Sequence, residues 1–348
     1  MCLPFALCAL TWTQTPVTAV VGGTIFDGTG GALIEDGVIL MSGERITAAG
    51  TRERVTIPPD ATRIDAAGRT IIPGLINTQA HISGHTRSEV EAQLRLYARY
   101  GVTSVFSPDG VSPPAVMLRE EPAQGRARLF RSGATLNNGS MDEAKALLAG
   151  GASFLPRNVR DRPVDFEFVQ LARSGDACVA SSLVRELSTF VYESTPSFFR
   201  DTFFLRYADR EMVERLSNRE YQDEVRNNPD LPRDKAAFEQ ARRNVKQLQD
   251  AGVRITSGTG SGAPARFPGS FEHLELELMV DAGLTPLQAL VAATRDAARC
   301  MAQDAIGTIR PGSFADLLIL DRSPFLDIRN TRRIESVWVS GVQVDTGR

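Results

Sequence analysis

The sequence predicts an α/β protein, with a parallel sheet or barrel in the middle of the chain and a small β unit assembled from its two ends. Three observations lead there. Between residues 71 and 305, helical stretches that stop at a glycine are followed directly by short apolar strands, and this repeats along the segment. Residues 16–70 are instead strand-rich and broken by turn dipeptides, and residues 306–348 repeat that texture.

The elements follow in order. Val17 to Val21, Gly37 to Met41 and Arg45 to Ala49 are short β-prone runs, separated by Asp27-Gly28, Gly30-Gly31, Asp36-Gly37 and Ser42-Gly43. Thr70-Ile71-Ile72-Pro73 leads into a strand ending near Thr78. Residues 89–100 carry apolar side chains at helical spacing (Val90, Leu94, Tyr97), stop at Gly101, and give way to the strand Val102 to Phe106. Helix 142–148 ends at Gly150-Gly151 before Ser153-Phe154-Leu155, and helix 235–250 ends at Gly252 before Val253 to Thr256. Residues 271–282 and 286–301 read as two further helices. Residues 201–234, rich in charge of both signs, read as solvated helices. Phe198, Phe199, Phe203, Phe204 and Tyr207 read as core or cavity wall. The strands Ala315 to Leu320 and Glu335 to Val339 then complete the terminal β unit. In such folds chemistry belongs just after the strand ends.

Composition narrows the function. Hydrophobic residues at 42% and charged residues at 23% are ordinary for a globular chain. A net charge of −3 without a basic run argues against a nucleic-acid backbone binder. With three histidines (His81, His85, His273), no CxxC pair and no HExxH motif, structural zinc knuckles and zinc-protease helices are excluded. Four cysteines make a disulfide framework improbable, and Cys178 and Cys300, in apolar surroundings, read as buried thiols. A nucleophilic Cys–His pair would need Cys178 to meet His81 or His273 in space. Residues 1–13 form an apolar stretch too short to span a bilayer. It reads as an export signal remnant, over 1–15, or as a buried first segment, and no other run is long enough to cross a membrane.

Three segments carry a family resemblance. Pro73-Gly74-Leu75-Ile76-Asn77-Thr78-Gln79-Ala80-His81 resembles the PGLID-x-HxH strand of the amidohydrolase superfamily. Gly258-Thr259-Gly260-Ser261-Gly262 resembles its GTDSG segment, and Gly307 to Leu317 its closing G-x-I-x-x-G-x-x-ADL segment. Gly23 to Gly28 and Val337 to Gly341 extend the likeness over nearly the whole chain, with imidazolonepropionase-like and prolidase-like members as the nearest branch. The resemblance implies a (β/α)8 (TIM-type) barrel over 71–305 and a β-sandwich built from 16–70 and 306–348. It also implies hydrolysis of amide or other C–N bonds in small molecules by one or two divalent metals, zinc among them. There the metal makes hydroxide from water and polarises the carbonyl, while an Asp shuttles protons.

Position by position, the residues depart from that machinery. Gln79 stands where the first histidine belongs and only His81 remains, leaving a vestigial ligand pair, since an amide oxygen is a weak zinc ligand. Gly260 stands in place of the Asp and can neither bind a metal nor carry a proton. Arg157 sits where the family strand ends in His, and a guanidinium has no lone pair for a metal. Lys145, Lys235 and Lys246 all lie in helices, away from the strand end where a carboxylated lysine belongs. Only residues 137–141 separate Ser132-Gly133-Ala134-Thr135-Leu136 from the next helix. Against the about 250 residues of a full barrel, some two strand–helix units look absent, so the barrel is expected to be incomplete.

Two functional expectations follow. One is an amidohydrolase scaffold with a degraded metal site, binding no stoichiometric zinc. The other is a non-catalytic protein that holds a small anionic ligand through Arg157, with His273 near the ligand or exposed as a helix cap. Glu272, Glu275 and Glu277 read as the solvated face of their helix. Self-association stays open.

Overall fold

The computed structural model describes residues 15–108, 112–131 and 139–347. The apolar stretch expected to be an export signal and the segment 132–136 lie outside the described residues. Along the chain, β1 (Val17–Ile25), β2 (Ile34–Ser42), β3 (Arg45–Thr51), β4 (Thr62–Asp65) and β5 (Thr70–Pro73) come first. Then follow β6 (Leu75–Asn77), α1 (Arg87–Arg99), β7 (Val102–Ser107), α2 (Pro113–Glu120), β8 (Arg128–Arg131), α3 (Met141–Ala149) and β9 (Phe154–Leu155). Next are α4 (Phe166–Ser174), β10 (Cys178–Ser181), α5 (Leu183–Leu187), α6 (Thr202–Leu205), α7 (Arg210–Ser217), α8 (Arg219–Arg226), α9 (Leu231–Asp250) and β11 (Arg254–Ser257). The chain closes with α10 (Ser270–Asp281), α11 (Pro286–Ala292), α12 (Arg295–Cys300), β12 (Leu317–Leu320), β13 (Ile334–Val339) and β14 (Val342–Gln343).

Both ends of the chain meet in one continuous eight-stranded sheet, ordered β14-β13-β12-β5-β1-β2-β3 with β4 also beside β1. Strand β1 runs parallel to β4 over Thr18 to Val21 and to β5 over Thr24 and Ile25. The change of partner falls at Gly22-Gly23, where the register against β2 also shifts. Gly22 has φ +88°, a conformation that glycine adopts without the clash a side chain would bring.

The middle of the chain supplies six parallel strands among the described residues, in the runs β6-β7-β8 and β11-β10-β9. Helices between successive strands give the crossovers that parallel pairing needs. The two runs join where β6 passes β11. Thr78 N donates to Ser257 O at 2.9 Å, Gly260 N to Gln79 O at 2.7 Å and His81 N to Ser261 O at 2.7 Å. Among the described residues no ladder joins β8 to β9. The terminal sheet is pinned to this unit by the Arg128–Asp316 pair at 3.0 Å, with Asp316 itself buried.

Several expectations are corrected. The helix read over 286–301 is two, because the carbonyl of Ala293 accepts from Ile76 N at 2.8 Å and so leaves the helical ladder. The aromatics Phe199, Phe203 and Phe204, by contrast, are core as expected, stacked edge and face with Phe267, Phe198 and Tyr100. Cys178 and Cys300 are not free thiols. They form a disulfide with Cα atoms 6.1 Å apart, tying the start of β10 to the end of α12. Sequence separation hid the pairing, since the two stand 122 positions apart. A bonded Cys178 has no thiolate to offer a histidine, so the nucleophilic Cys–His pair falls away.

Candidate functional site

The site is built at the seam between β6 and β11, where both chains continue past the last ladder residue. Gln79 and His81 leave β6; Gly260 and Ser261 leave β11. The seam's hydrogen bonds hold the two segments in parallel, with Ala80 bridged to Ser261. Gly262 is forced: a Cβ there would stand 2.0 Å from the His81 carbonyl oxygen. Beneath the seam lies a buried polar network. Glu272 Oε1 accepts from Asn77 Nδ2 at 2.6 Å, Thr259 Oγ1 at 2.8 Å and Ser261 Oγ at 2.5 Å. Burial raises the Glu272 carboxyl above its ordinary value, and among the described residues Glu272 Oε2 has no hydrogen-bond partner. Gln79 is buried, at 4% exposure, with its Oε1 equally unpartnered.

Above the seam, four arginines gather around one carboxylate. Arg157, following β9, donates from Nε to Glu186 Oε1 at 3.0 Å, and Arg160 from Nη1 to Glu186 Oε2 at 2.8 Å. Glu186 belongs to the short helix α5, and it is 1% exposed. Its neighbour Arg185 and, from the loop after β11, Arg266 complete the cluster. A Cβ on Gly260 would lie 2.6 Å from Arg266 Nη1 and 3.6 Å from Arg185 Cδ. Arg266 Nη1 is buried with no hydrogen-bond partner. Burial first, then the nearby Arg157 and Arg266, pushes the Arg185 guanidinium down to about 10. Burial and Arg157 lower Arg266 too. Beside the cluster a groove of about 710 Å³ is lined by Arg160, Arg162, Arg233 and Arg243, together with Asp161.

A buried carboxylate, Glu275, holds this arrangement from behind. Glu275 accepts from the backbone N of Leu183 at 3.0 Å and of Val184 at 2.7 Å, capping the first turn of α5 that carries Arg185 and Glu186. Desolvation pushes the Glu275 carboxyl up to about 7. Glu272 and Glu275 are therefore not a solvated face. Helix α10 packs with that side inward, and only Glu277, which meets Arg332, stays half-exposed. His273 is likewise not exposed as a helix cap. It is 1% exposed, with Nε2 on the Tyr100 carbonyl at 2.7 Å and Nδ1 against Thr331 Oγ1 at 2.9 Å. Burial pushes its pKa down to about 3, so the ring is neutral.

The structure thus brings Gln79, His81 and Gly260 to one seam, and it adds Arg157 above them. It also brings up Arg185, Glu186 and Arg266, which sequence reading missed. No motif marks them; their meeting depends on how α5 and the loop after β11 fold over the strand ends. Among the described residues, no group of three or more His, Cys, Asp or Glu side chains converges as a metal site would require.

Comparison with known proteins bears on the fold that carries this site. The model of the amidohydrolase family matches residues 184–344. Imidazolonepropionase of Streptomyces avermitilis is 22% identical over 90% of this chain and 88% of its own. Among solved structures, molinate hydrolase superposes with a TM-score of 0.73 at 16% identity, covering 96% of each chain. Ochratoxinase of A. niger superposes with a TM-score of 0.65 at 15% identity, covering 94% of this chain and 95% of its own. Residues 184–344 thus match the amidohydrolase family, and the chain has the TIM-barrel-like α/β fold of those structures.

Proposed function

We propose that this chain is a C–N hydrolase scaffold whose metal machinery has been dismantled, so that it does not hydrolyse amides through a metal. The reading includes an incomplete barrel over 71–305, carried by six parallel strands, and a β-sandwich formed by the terminal sheet from 16–70 and 306–348. The observation that carries it is the pair Gly260 and Arg266. The space an Asp side chain would enter from residue 260 is taken by a guanidinium nitrogen. A divalent metal does not fit the donor set present: an amide at Gln79, a single imidazole at His81, and guanidiniums at Arg157, Arg185 and Arg266 that would repel it.

Metal content of the purified protein, with and without added zinc, tests this alongside turnover of N-acyl amino acids. The expected result is well under one zinc per chain and no chelator-sensitive hydrolysis. Near-stoichiometric zinc together with chelator-sensitive turnover would overturn it. A second reading, binding of a small anionic molecule on the same scaffold, is favoured by four arginines gathered around Glu186 at the strand ends, with Asp234 3.9 Å from Arg160.

A further inference from the structure

The four arginines do not have equal duties. Arg157 and Arg160 are committed to Glu186, each by a direct charge-assisted hydrogen bond. Among the described residues, Arg185 and Arg266 make no side-chain hydrogen bond, although both are partly buried and both flank the point above Gly260. Unpaired guanidiniums side by side are costly, because each loses hydration and repels the other. Their positions are nevertheless fixed. Arg185 rides on α5, whose first amides are held by Glu275. Arg266 sits in a tight turn, with its carbonyl accepting from Gly262 N at 3.0 Å and its N donating to Ala263 O at 3.1 Å. The preceding carbonyl, of Ala265, accepts from Tyr192 Oη at 2.6 Å.

Resting on the reading of a dismantled metal site, we propose that Arg185 and Arg266 form an oxyanion-binding fork over Gly260, which takes the carboxylate or phosphate group of a small molecule. An oxyanion there satisfies the buried Nη1 of Arg266 and neutralises the repulsion between the two guanidiniums. Arg157, which sequence reading assigned to the anion, instead fixes Glu186 beside it and adds positive potential.

The test is calorimetric titration and thermal melting of the full chain with inorganic phosphate and with succinate, on wild type, Arg185→Met, Arg266→Met and the surface control Arg162→Met. One of the two probes should bind and raise the melting temperature, and which one does so tells phosphate from carboxylate. Each fork variant should weaken that binding at least about tenfold, the loss of a charge-assisted hydrogen bond. Each should also melt at or above the wild-type temperature without anion, because a like-charge repulsion has gone; a merely structural arginine would give the opposite sign. Arg162→Met should match wild type. Absence of binding by both probes, or unchanged affinity in both fork variants, overturns the fork. Stoichiometric zinc with turnover instead overturns the proposed function, whatever the anions do.

Discussion

Reduction of the Cys178–Cys300 bond should cost this fold a large part of its stability. The crosslink joins β10 to α12 across 122 residues of sequence and so removes many conformations from the unfolded chain. Loop-closure entropy for that length corresponds to about 5 kcal/mol at room temperature. Spread over an unfolding entropy of about 2.1 cal/mol/K per residue, this lowers the melting temperature by about 7 °C. The perturbations are Cys300→Ala, or wild type held in reductant. Cys300→Ala is the cleaner, since Cys178 is 1% exposed and packs as a small apolar group when unbonded. The assay is differential scanning calorimetry, paired with non-reducing peptide mapping by mass spectrometry. A mapped Cys178–Cys300 peptide and a matching drop in both perturbed samples are expected. Free, alkylatable Cys178 and Cys300 in unreduced denatured protein, or melting unchanged by either perturbation, would refute the reasoning.

Two further outcomes are expected. His273, at about 3 in the fold against 6.5 in the unfolded chain, adds stability that is present above pH 6.5 and lost as pH falls toward 3. Glu275, at about 7 against 4.5, acts oppositely, its contribution being present below pH 4.5 and lost as pH rises toward 7. Each is worth about 1.4 kcal/mol per pH unit, so chemical denaturation of wild type should be nearly flat in these two groups from pH 4.5 to 6.5. Glu275→Gln should uncover the His273 slope across that window; a flat profile in the variant would remove His273 as its source. Glu186→Gln leaves Arg157 and Arg160 without their buried carboxylate and should destabilise by about 3–5 kcal/mol, read by urea titration. Added phosphate should recover part of that loss, and no recovery would count against an anion-receptive cluster.

Much of the fold was legible in the chain because it is written in local periodicity. The helix-stopping glycines at 101, 150 and 252 each precede a strand that forms, and the two terminal β segments do share one sheet. The seam residues Gln79, His81 and Gly260 were also legible, since they follow strands whose apolar runs mark where they end. What stayed hidden is of another kind. Residues 272, 273 and 275 read as polar and hence solvated, yet α10 turns them inward, where Asn77, Thr259, Ser261 and the amides of α5 satisfy them. Whether a charged side chain is exposed or buried depends on partners far away in sequence, which spacing cannot supply. The disulfide across 122 residues was invisible for the same reason. The sequence alone determined the alternation of strands and helices and which residue types stand at 79, 81, 157 and 260. Only the tertiary structure decided what lies over Gly260, because Arg185 and Arg266 come together through packing of separate elements and through no local signal of their own.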